Sequence, residues 1–317
     1  MMSRPFRVAA AALLAAALVS CEDPVVGYPD VDREDAIPAD IAKRGPETDQ
    51  HPPIMHSPDF EAPVPLPYPV NTAGAEDSPF ILPDGNTLYF FFTPDVRVHY
   101  SQQLFDQVTG IYVTHRTGET WSNPVRVWLQ DPGKLALDGA VAVQDDEMWF
   151  ASAREGYTGM NMFTARWTDG RWTNWQYAGD RLNKEIGIGE LHLHGDDLYF
   201  HSDRPGGKGD YDIWVTTRNG ESWSDPINIE AVNTSAKDGW PFVSSDGSEL
   251  WFHRTYQGTP AIFRSVKVDG EWGVPELIVS RFAAEPTLDD AGNLYFAHHF
   301  IENDVLIEAD IYVARKR

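Results

Sequence analysis

The sequence predicts an all-β protein, a five-bladed β-propeller that is closed by an N-terminal strand completing the last blade. Three observations predict this fold: an aromatic motif that recurs five times, a hairpin turn before each copy, and a last unit that lacks its fourth strand. Repeats of roughly 40–60 residues, each with four short antiparallel strands, are typical of propeller blades.

The recurring motif is an aromatic pair that follows Leu or Met. Its copies are Leu88-Tyr89-Phe90, Met148-Trp149-Phe150, Leu198-Tyr199-Phe200, Leu250-Trp251-Phe252 and Leu294-Tyr295-Phe296. A turn precedes each copy, as at Asp84-Gly85, where glycine tolerates the positive φ that a hairpin turn needs. A third strand follows in every unit, and the first four units add a fourth strand, which carries Trp121, Trp172, Trp223 and Trp272. Each unit is therefore one predicted blade.

The ring is expected to close through the N-terminal segment. The fifth unit ends at Arg317 without a fourth strand, while residues 67–72 precede blade one much as residues 229–234 precede blade four. Both segments contain Val-Asn-Thr. We therefore expect the N-terminal segment to be the outer strand of the last blade, which removes exposed sheet edges. An open solenoid or a β-sandwich with regular hairpins is the alternative.

The N-terminus carries the features of an export signal. Arg4 and Arg7 precede an apolar run, residues 8–19, that is too short to span a bilayer comfortably. Leu18-Val19-Ser20-Cys21 follows and resembles the bacterial lipobox. The resemblance implies that residues 1–20 are a signal peptide and that Cys21 carries a lipid, which holds the protein outside the cytoplasm at the membrane of the cell envelope. A short membrane anchor, or an ordinary signal peptide with a chance cysteine, is the alternative.

Residues 21–56 are predicted to be a flexible tether, and residues 57–317 the propeller. The tether is rich in Pro, Asp and Glu and has no apolar period. Such a segment gains too little from burial to offset its ordering entropy. It would hold the propeller roughly 30 Å from the membrane.

Charge and missing motifs exclude several classes of function. The chain has 25 basic and 48 acidic residues, a formal charge of −23, so nucleic acid is not an expected partner. Cys21 is the single cysteine, which rules out an intrachain disulfide and a cysteine metal site. The motifs of serine hydrolases, phosphate loops and dinucleotide sites are also absent.

Residues 202–214, in blade three, resemble the WD-like repeat of TolB-type propellers. This resemblance implies a propeller in a bacterial envelope setting. It does not specify an activity, since propellers carry many unrelated functions.

A polar set of residues is predicted on one face of the ring, where the first strand of each blade starts and the second ends. We call this side the near face. Its expected members from first strands are Glu76, Asp77, Asp138, Glu190, His192, Asp238 and Glu285, and those from second strands are Arg154, His201, Arg204, His253, Arg254, His298 and His299. They vary from blade to blade, and blade one adds an insertion at residues 95–109, so an asymmetric ligand is favoured. The alternative is structural: the acids would accept backbone N–H groups and pair with Arg154, Arg204 and Arg254.

We call the opening of the central channel on the near face the mouth. Two functions are consistent with a polar mouth of this kind. The first is a binding module for a glycan, a peptide or an envelope partner. The second follows from the order Asp77, Asp138, Glu190, which is similar to that of the arabinanase and β-xylosidase clan of five-bladed glycosidases. That resemblance implies Asp77 as base, Asp138 as helper and Glu190 as acid, with His298 or His299 near a channel ion.

No cofactor and no dedicated metal site is predicted, although a divalent ion could occupy the channel. A third alternative, a metal-dependent lyase, would use His192, His194, His201 and Glu190, because imidazole and carboxylate suit divalent cations. No compact His-x-x-x-His spacing supports it.

Overall fold

A computed structural model describes residues 27–180, 182 and 190–317. This part of the chain forms five antiparallel sheets arranged as a five-bladed β-propeller, so the predicted fold is confirmed. None of its helices is long and apolar enough to cross a membrane. The predicted signal peptide and Cys21 lie outside the described residues.

The strands follow the predicted blades. Two short strands come first, β1 (Ile54–Met55) and β2 (Val64–Pro65). Blade one holds β3 (Ala75–Ile81), β4 (Thr87–Thr93), the short helix α1 (Tyr100–Gln103), β5 (Gly110–Thr117), β6 (Thr120–Trp121) and β7 (Val125–Arg126). Blade two holds β8 (Ala136–Gln144), β9 (Glu147–Arg154), β10 (Asn161–Thr168) and β11 (Arg171–Tyr177).

The remaining blades repeat this order. Blade three holds β12 (His192–His194), β13 (Asp197–Ser202), β14 (Asp212–Asn219), β15 (Ser222–Trp223) and β16 (Ile227–Asn228). Blade four holds β17 (Asp238–Val243), β18 (Glu249–Tyr256), β19 (Thr259–Val268), β20 (Glu271–Trp272) and β21 (Glu276–Ser280). Blade five holds β22 (Ala283–Leu288), β23 (Leu294–Glu302) and β24 (Val305–Ala314).

The N-terminal segment closes the ring, as predicted. Strand β2 pairs with β24, the last strand of the chain. The Val-Asn-Thr segments act alike, since the Asn71 side chain exchanges two hydrogen bonds with the backbone of Ile311 at 2.9 and 3.0 Å. Asn233 does the same with Ile213, at 2.8 Å for both bonds. The pairing strand itself lies a few residues before the segment that the sequence comparison singled out.

Aromatic side chains wedge neighbouring blades together. Trp172 of blade two donates its indole N–H to Tyr89 of blade one at 3.2 Å, and Trp223 packs edge-on against Trp149 of blade two. Between blades four and five the wedge is Phe60, from the N-terminal segment, which packs edge-on against Trp251. The N-terminus therefore supplies both the missing strand and the missing wedge.

Residues 27–56, expected to form a flexible tether, instead lie against the ring. Arg33 is buried and forms an ion pair with Glu76 at 2.7 Å. Lys43 forms ion pairs with two buried acids of β24, Glu308 and Asp310, and β1 pairs with β21 of blade four. Composition shows little apolar material to bury in this segment. The contacts come from single charges that meet buried partners on the ring and from one short strand pairing.

Candidate functional site

Four ionisable side chains and a serine meet at the near-face end of the channel. They are Asp77 and Ser78 of blade one, Glu190 of blade three, and Glu285 and His299 of blade five, and we call them the channel cluster. The Ser78 hydroxyl donates to Glu190 Oε1 at 2.6 Å, and its backbone N–H donates to Glu285 Oε2 at 2.9 Å. His299 Nε2 lies 3.2 Å from Asp77 Oδ1. The cluster thus joins three of the five blades.

A bulge in the innermost strands aims these side chains inward. The pairing of first and second strands shifts register at the same point in blades one, two, four and five. At each shift one residue has positive φ: Ser78 (48°), Ala140 (51°), Trp240 (53°) and Glu285 (58°). In blade three, His192 pairs with Tyr199 as Phe80 pairs with Tyr89 in blade one. Glu190, two residues before His192, therefore occupies the position of Ser78. A bulge re-aims a side chain, and the residues at this place in blades one, three and five, which are Ser78, Glu190 and Glu285, meet in the channel.

The pKa values of the acids in the cluster are shifted in opposite directions. Burial alone would raise the pKa of Asp77, but the charge and hydrogen bond of His299 outweigh it and lower that pKa to about 2. Burial raises the pKa of Glu190 to about 7. Burial and the charge of Asp77 raise the pKa of Glu285 well above its ordinary value. Burial opposes the charge on His299, yet Asp77 raises the pKa of that imidazole.

The shifts therefore favour an ionised Asp77 beside a charged His299, and they favour the protonated form of Glu285. The Asp77 and His299 side chains are 26% and 19% exposed, so solvent reaches them. Below them the channel narrows to a cavity of about 20 Å³ beside Glu190, His192 and Trp240, about enough for one water molecule. A ligand would therefore meet the cluster from the near face.

The same place could accept the divalent ion considered from the sequence. One ligand atom each from Asp77, Glu285 and His299 lies within 4.8 Å of the others. Carboxylate and imidazole donors suit divalent cations, but an ion would compete with protons for Glu285 and His299, whose pKa values are both raised. In the described part of the chain the histidines considered for a lyase do not assemble a metal-binding group.

Asp138 and Asp238, predicted at the mouth, lie in buried ion pairs instead. Asp138 pairs with Arg154 at 2.9 Å, and Asp238 pairs with Arg254. In blade one the matching acid is Glu76, whose partner Arg33 comes from the N-terminal segment. These pairs fit the structural alternative for the acids and arginines. Sequence reasoning missed Arg33, because nothing in its local pattern separates it from an ordinary tether residue.

Aromatic side chains line one side of the mouth. Trp240 stacks with His201 at 4.4 Å and with His253 at 3.9 Å between ring centroids. Its backbone N–H donates to His201 Nδ1 at 3.3 Å. Sequence reasoning placed both histidines here but missed Trp240. The signal was available, since Trp240 precedes Pro241 as Glu285 precedes Pro286.

The other predicted ligand-binding residues are more remote. His192 is buried against Phe242, and burial lowers its pKa to about 3, so it is a neutral wall of the channel. His298 is fully buried and meets Asp49 of the N-terminal segment at 2.9 Å. The Arg204 guanidinium lies over the Trp214 ring at 4.8 Å. Their predicted roles in binding stay predictions.

Neither a protein-family model nor a curated protein matches the chain. Several solved structures share its fold. TolB from Acinetobacter baumannii is 13% identical with a TM-score of 0.46, over 78% of this chain and 55% of that one. An endo-arabinase from Bacteroides thetaiotaomicron is 16% identical with a TM-score of 0.46, over 78% and 96%. The catalytic domain of an α-L-arabinofuranosidase from Coprinopsis cinerea is 10% identical with a TM-score of 0.47, over 80% and 95%.

These likenesses concern the fold. Both resemblances predicted from the sequence, to TolB-type propellers and to five-bladed arabinanase-type propellers, are confirmed at that level. The chain spans about half the length of TolB.

Proposed function

We propose that this protein is a lipid-anchored propeller of the bacterial cell envelope that binds a polar ligand, foremost a glycan, at the near-face mouth of its channel. The channel cluster is the observation that carries the proposal. Its acids are shifted apart in pKa and its Asp77 side chain is partly exposed, a combination that is typical of functional sites. Other acids near the channel are engaged in ion pairs instead, as Asp138 is with Arg154 of the same blade.

A glycan fits the donors and acceptors that the cluster presents. In the protonated form that its raised pKa favours, Glu285 can donate to a hydroxyl oxygen, while ionised Asp77 can accept from a hydroxyl group. Glu190, with a pKa of about 7, can do either near neutral pH. Trp240 beside them adds an apolar surface. A few placed polar groups with an aromatic wall are typical of small-ligand sites.

Binding at the mouth can be tested with Asp77→Asn. Asn lacks the negative charge that pairs with His299 and that would accept a strong hydrogen bond from a sugar hydroxyl, so we expect affinity for a bound oligosaccharide to fall about tenfold or more. Calorimetric titration of the intact protein with a panel of oligosaccharides measures it. Glu119→Gln, at a side chain 91% exposed, is the matched control. Equal affinity in both variants would contradict a site at the cluster.

Glycoside hydrolysis is the second candidate, favoured by the opposite shifts of Asp77 and Glu190. A pair of carboxyls whose pKa values are pushed apart is typical of acid and base catalysts. Asp77 would take a proton from the water that attacks the anomeric carbon, while Glu190 would give its proton to the departing glycosidic oxygen. Asp138, the expected helper, would act from its ion pair with Arg154.

The proposed lipid anchor has its own test. Tyr28 stacks on Trp128 at 5.4 Å and donates to the Gln130 carbonyl at 2.8 Å, so the chain is already bound to the ring there. Only residues 21–27 would separate the lipid from the ring, a reach of at most about 25 Å. We expect Cys21→Ser to move the protein from the membrane fraction to the soluble fraction. Membrane association that persists in this variant would contradict lipidation at Cys21.

A further inference from the structure

A groove on the outer wall between blades one and two is lined by tryptophan. It has a volume of about 810 Å³, within the range of ligand sites. Four indoles line it: Trp128 after β7, Trp167 at the end of β10, and Trp172 and Trp175 on β11. It is separate from the channel cluster, none of whose residues lines it.

Trp167 lies at a position that is occupied by a basic residue in blades one, three and four. Trp121, Trp223 and Trp272 each pair across a hairpin with a basic residue, which lies over the indole at 4.9–5.6 Å. Those basic residues are Arg116, Arg218 and Lys267. In blade two the same place opposite Trp172 is held by Trp167, which is 46% exposed. Blades one, three and four form with a basic residue at this position, so the blade fold does not require an exposed indole there.

Trp128 is a second departure. The backbone N–H of Val127 donates to the Ile111 carbonyl in blade one, and that of Ile229 donates to the Ile213 carbonyl in blade three. Trp128 and Glu230 follow these residues, so they occupy equivalent positions. Arg126 supports the indole, with its guanidinium 5.0 Å from the ring. Tyr28 stacks on one face of this indole with an angle of 9° between the rings, so Tyr28 and Trp128 together form part of the groove's aromatic wall.

We propose that this groove is a second binding site, for an oligosaccharide chain, separate from the mouth. Sugar rings present flat C–H faces that pack on indoles, and their hydroxyls need polar partners at the edges. The groove supplies both, with His115, Asp131 and Asn174 among its lining residues. Its apolar lining is mostly aromatic and offers few pockets for the aliphatic side chains of a peptide. An acidic lipid surface is disfavoured by the net charge of −23.

The test is Trp167→Arg, which restores the residue type of the other blades. The arginine can lie over Trp172 as Arg116 lies over Trp121, so the fold is expected to keep its melting temperature. The probes are xylohexaose, arabinohexaose and cellohexaose, followed by tryptophan fluorescence and calorimetry. We expect at least one to bind the intact protein, and its affinity to fall tenfold or more in Trp167→Arg. Trp128→Glu, which copies the residue type of Glu230 in blade three, should give the same loss.

Several results would overturn this site. They are no binding of any of the three hexasaccharides, unchanged affinity in both tryptophan variants, or quenching by a proline-rich peptide alone, since such peptides also dock in aromatic grooves. The mouth is distinguished by Asp77→Asn. Sugar binding that is lost in that variant and kept in Trp167→Arg belongs to the mouth, and it would contradict the groove without affecting the function proposed there.

Discussion

Replacing Phe60 with Ala is expected to lower the free energy of unfolding by about 3–5 kcal/mol, the usual cost of removing a buried phenylalanine. Phe60 is 2% exposed and packs edge-on against Trp251 of blade four. Its backbone bridges Lys316 near the C-terminus. It therefore seals the one junction where the ring is closed by non-covalent contacts between the two ends of the chain. Urea or thermal unfolding of the full chain measures the loss.

Val64→Ala is the matched control for this prediction. Val64 belongs to the same N-terminal segment and pairs with Val313, but it is 51% exposed. An exposed truncation that keeps the backbone pairing usually changes stability by no more than about 0.5 kcal/mol. If both variants unfolded like the parent protein, the N-terminal segment would be dispensable and the ring would be closed by blades one and five alone.

If the mouth hydrolyses glycosides, Glu190→Gln is expected to lower kcat by roughly 10² to 10⁴-fold, the contribution of a general acid. Gln can still accept the hydrogen bond from Ser78, so KM should change little. Initial rates on aryl glycosides and polysaccharides measure the effect, and substrates with good leaving groups should lose less. Asp138→Asn separates structure from chemistry: loss of its ion pair with Arg154 should lower the melting temperature. Unchanged kcat in Glu190→Gln would exclude this residue as the acid.

The pH profile is the second readout of the same experiment. Hydrolysis needs Asp77 ionised, which holds above its pKa of about 2, and Glu190 protonated, which holds below its pKa of about 7. Turnover should therefore be highest in the acidic range and fall above about pH 7. Glu190→Gln should remove that alkaline fall along with most of the rate. A profile that rises through pH 8 would contradict the assignment.

The repeat was readable from the sequence because its signals are local. Each blade is built by neighbouring strands, so Asp84-Gly85 and Leu88-Tyr89-Phe90 lie next to the structure that they specify. The Val-Asn-Thr segments carried the one long-range prediction, closure of the ring, because the same hydrogen bonds recur at Asn71 and Asn233. Part of the mouth was also predictable, since Asp77, Glu190, Glu285 and His299 do meet.

Blade count, ring closure and the residue types that face the axis could thus be predicted from the amino-acid sequence alone. Which acids are free for a ligand depends on tertiary contacts. Glu76, Asp138 and Asp238 form ion pairs, while the position two residues further along, where Glu285 lies at a bulge and Glu190 at the matching place, faces the channel. The two groups of acids differ because a bulge shifts the strand register by one residue between them. A buried carboxylate then pairs with a cation that the tertiary structure places beside it. For Glu76 that cation is Arg33, 43 residues away along the chain.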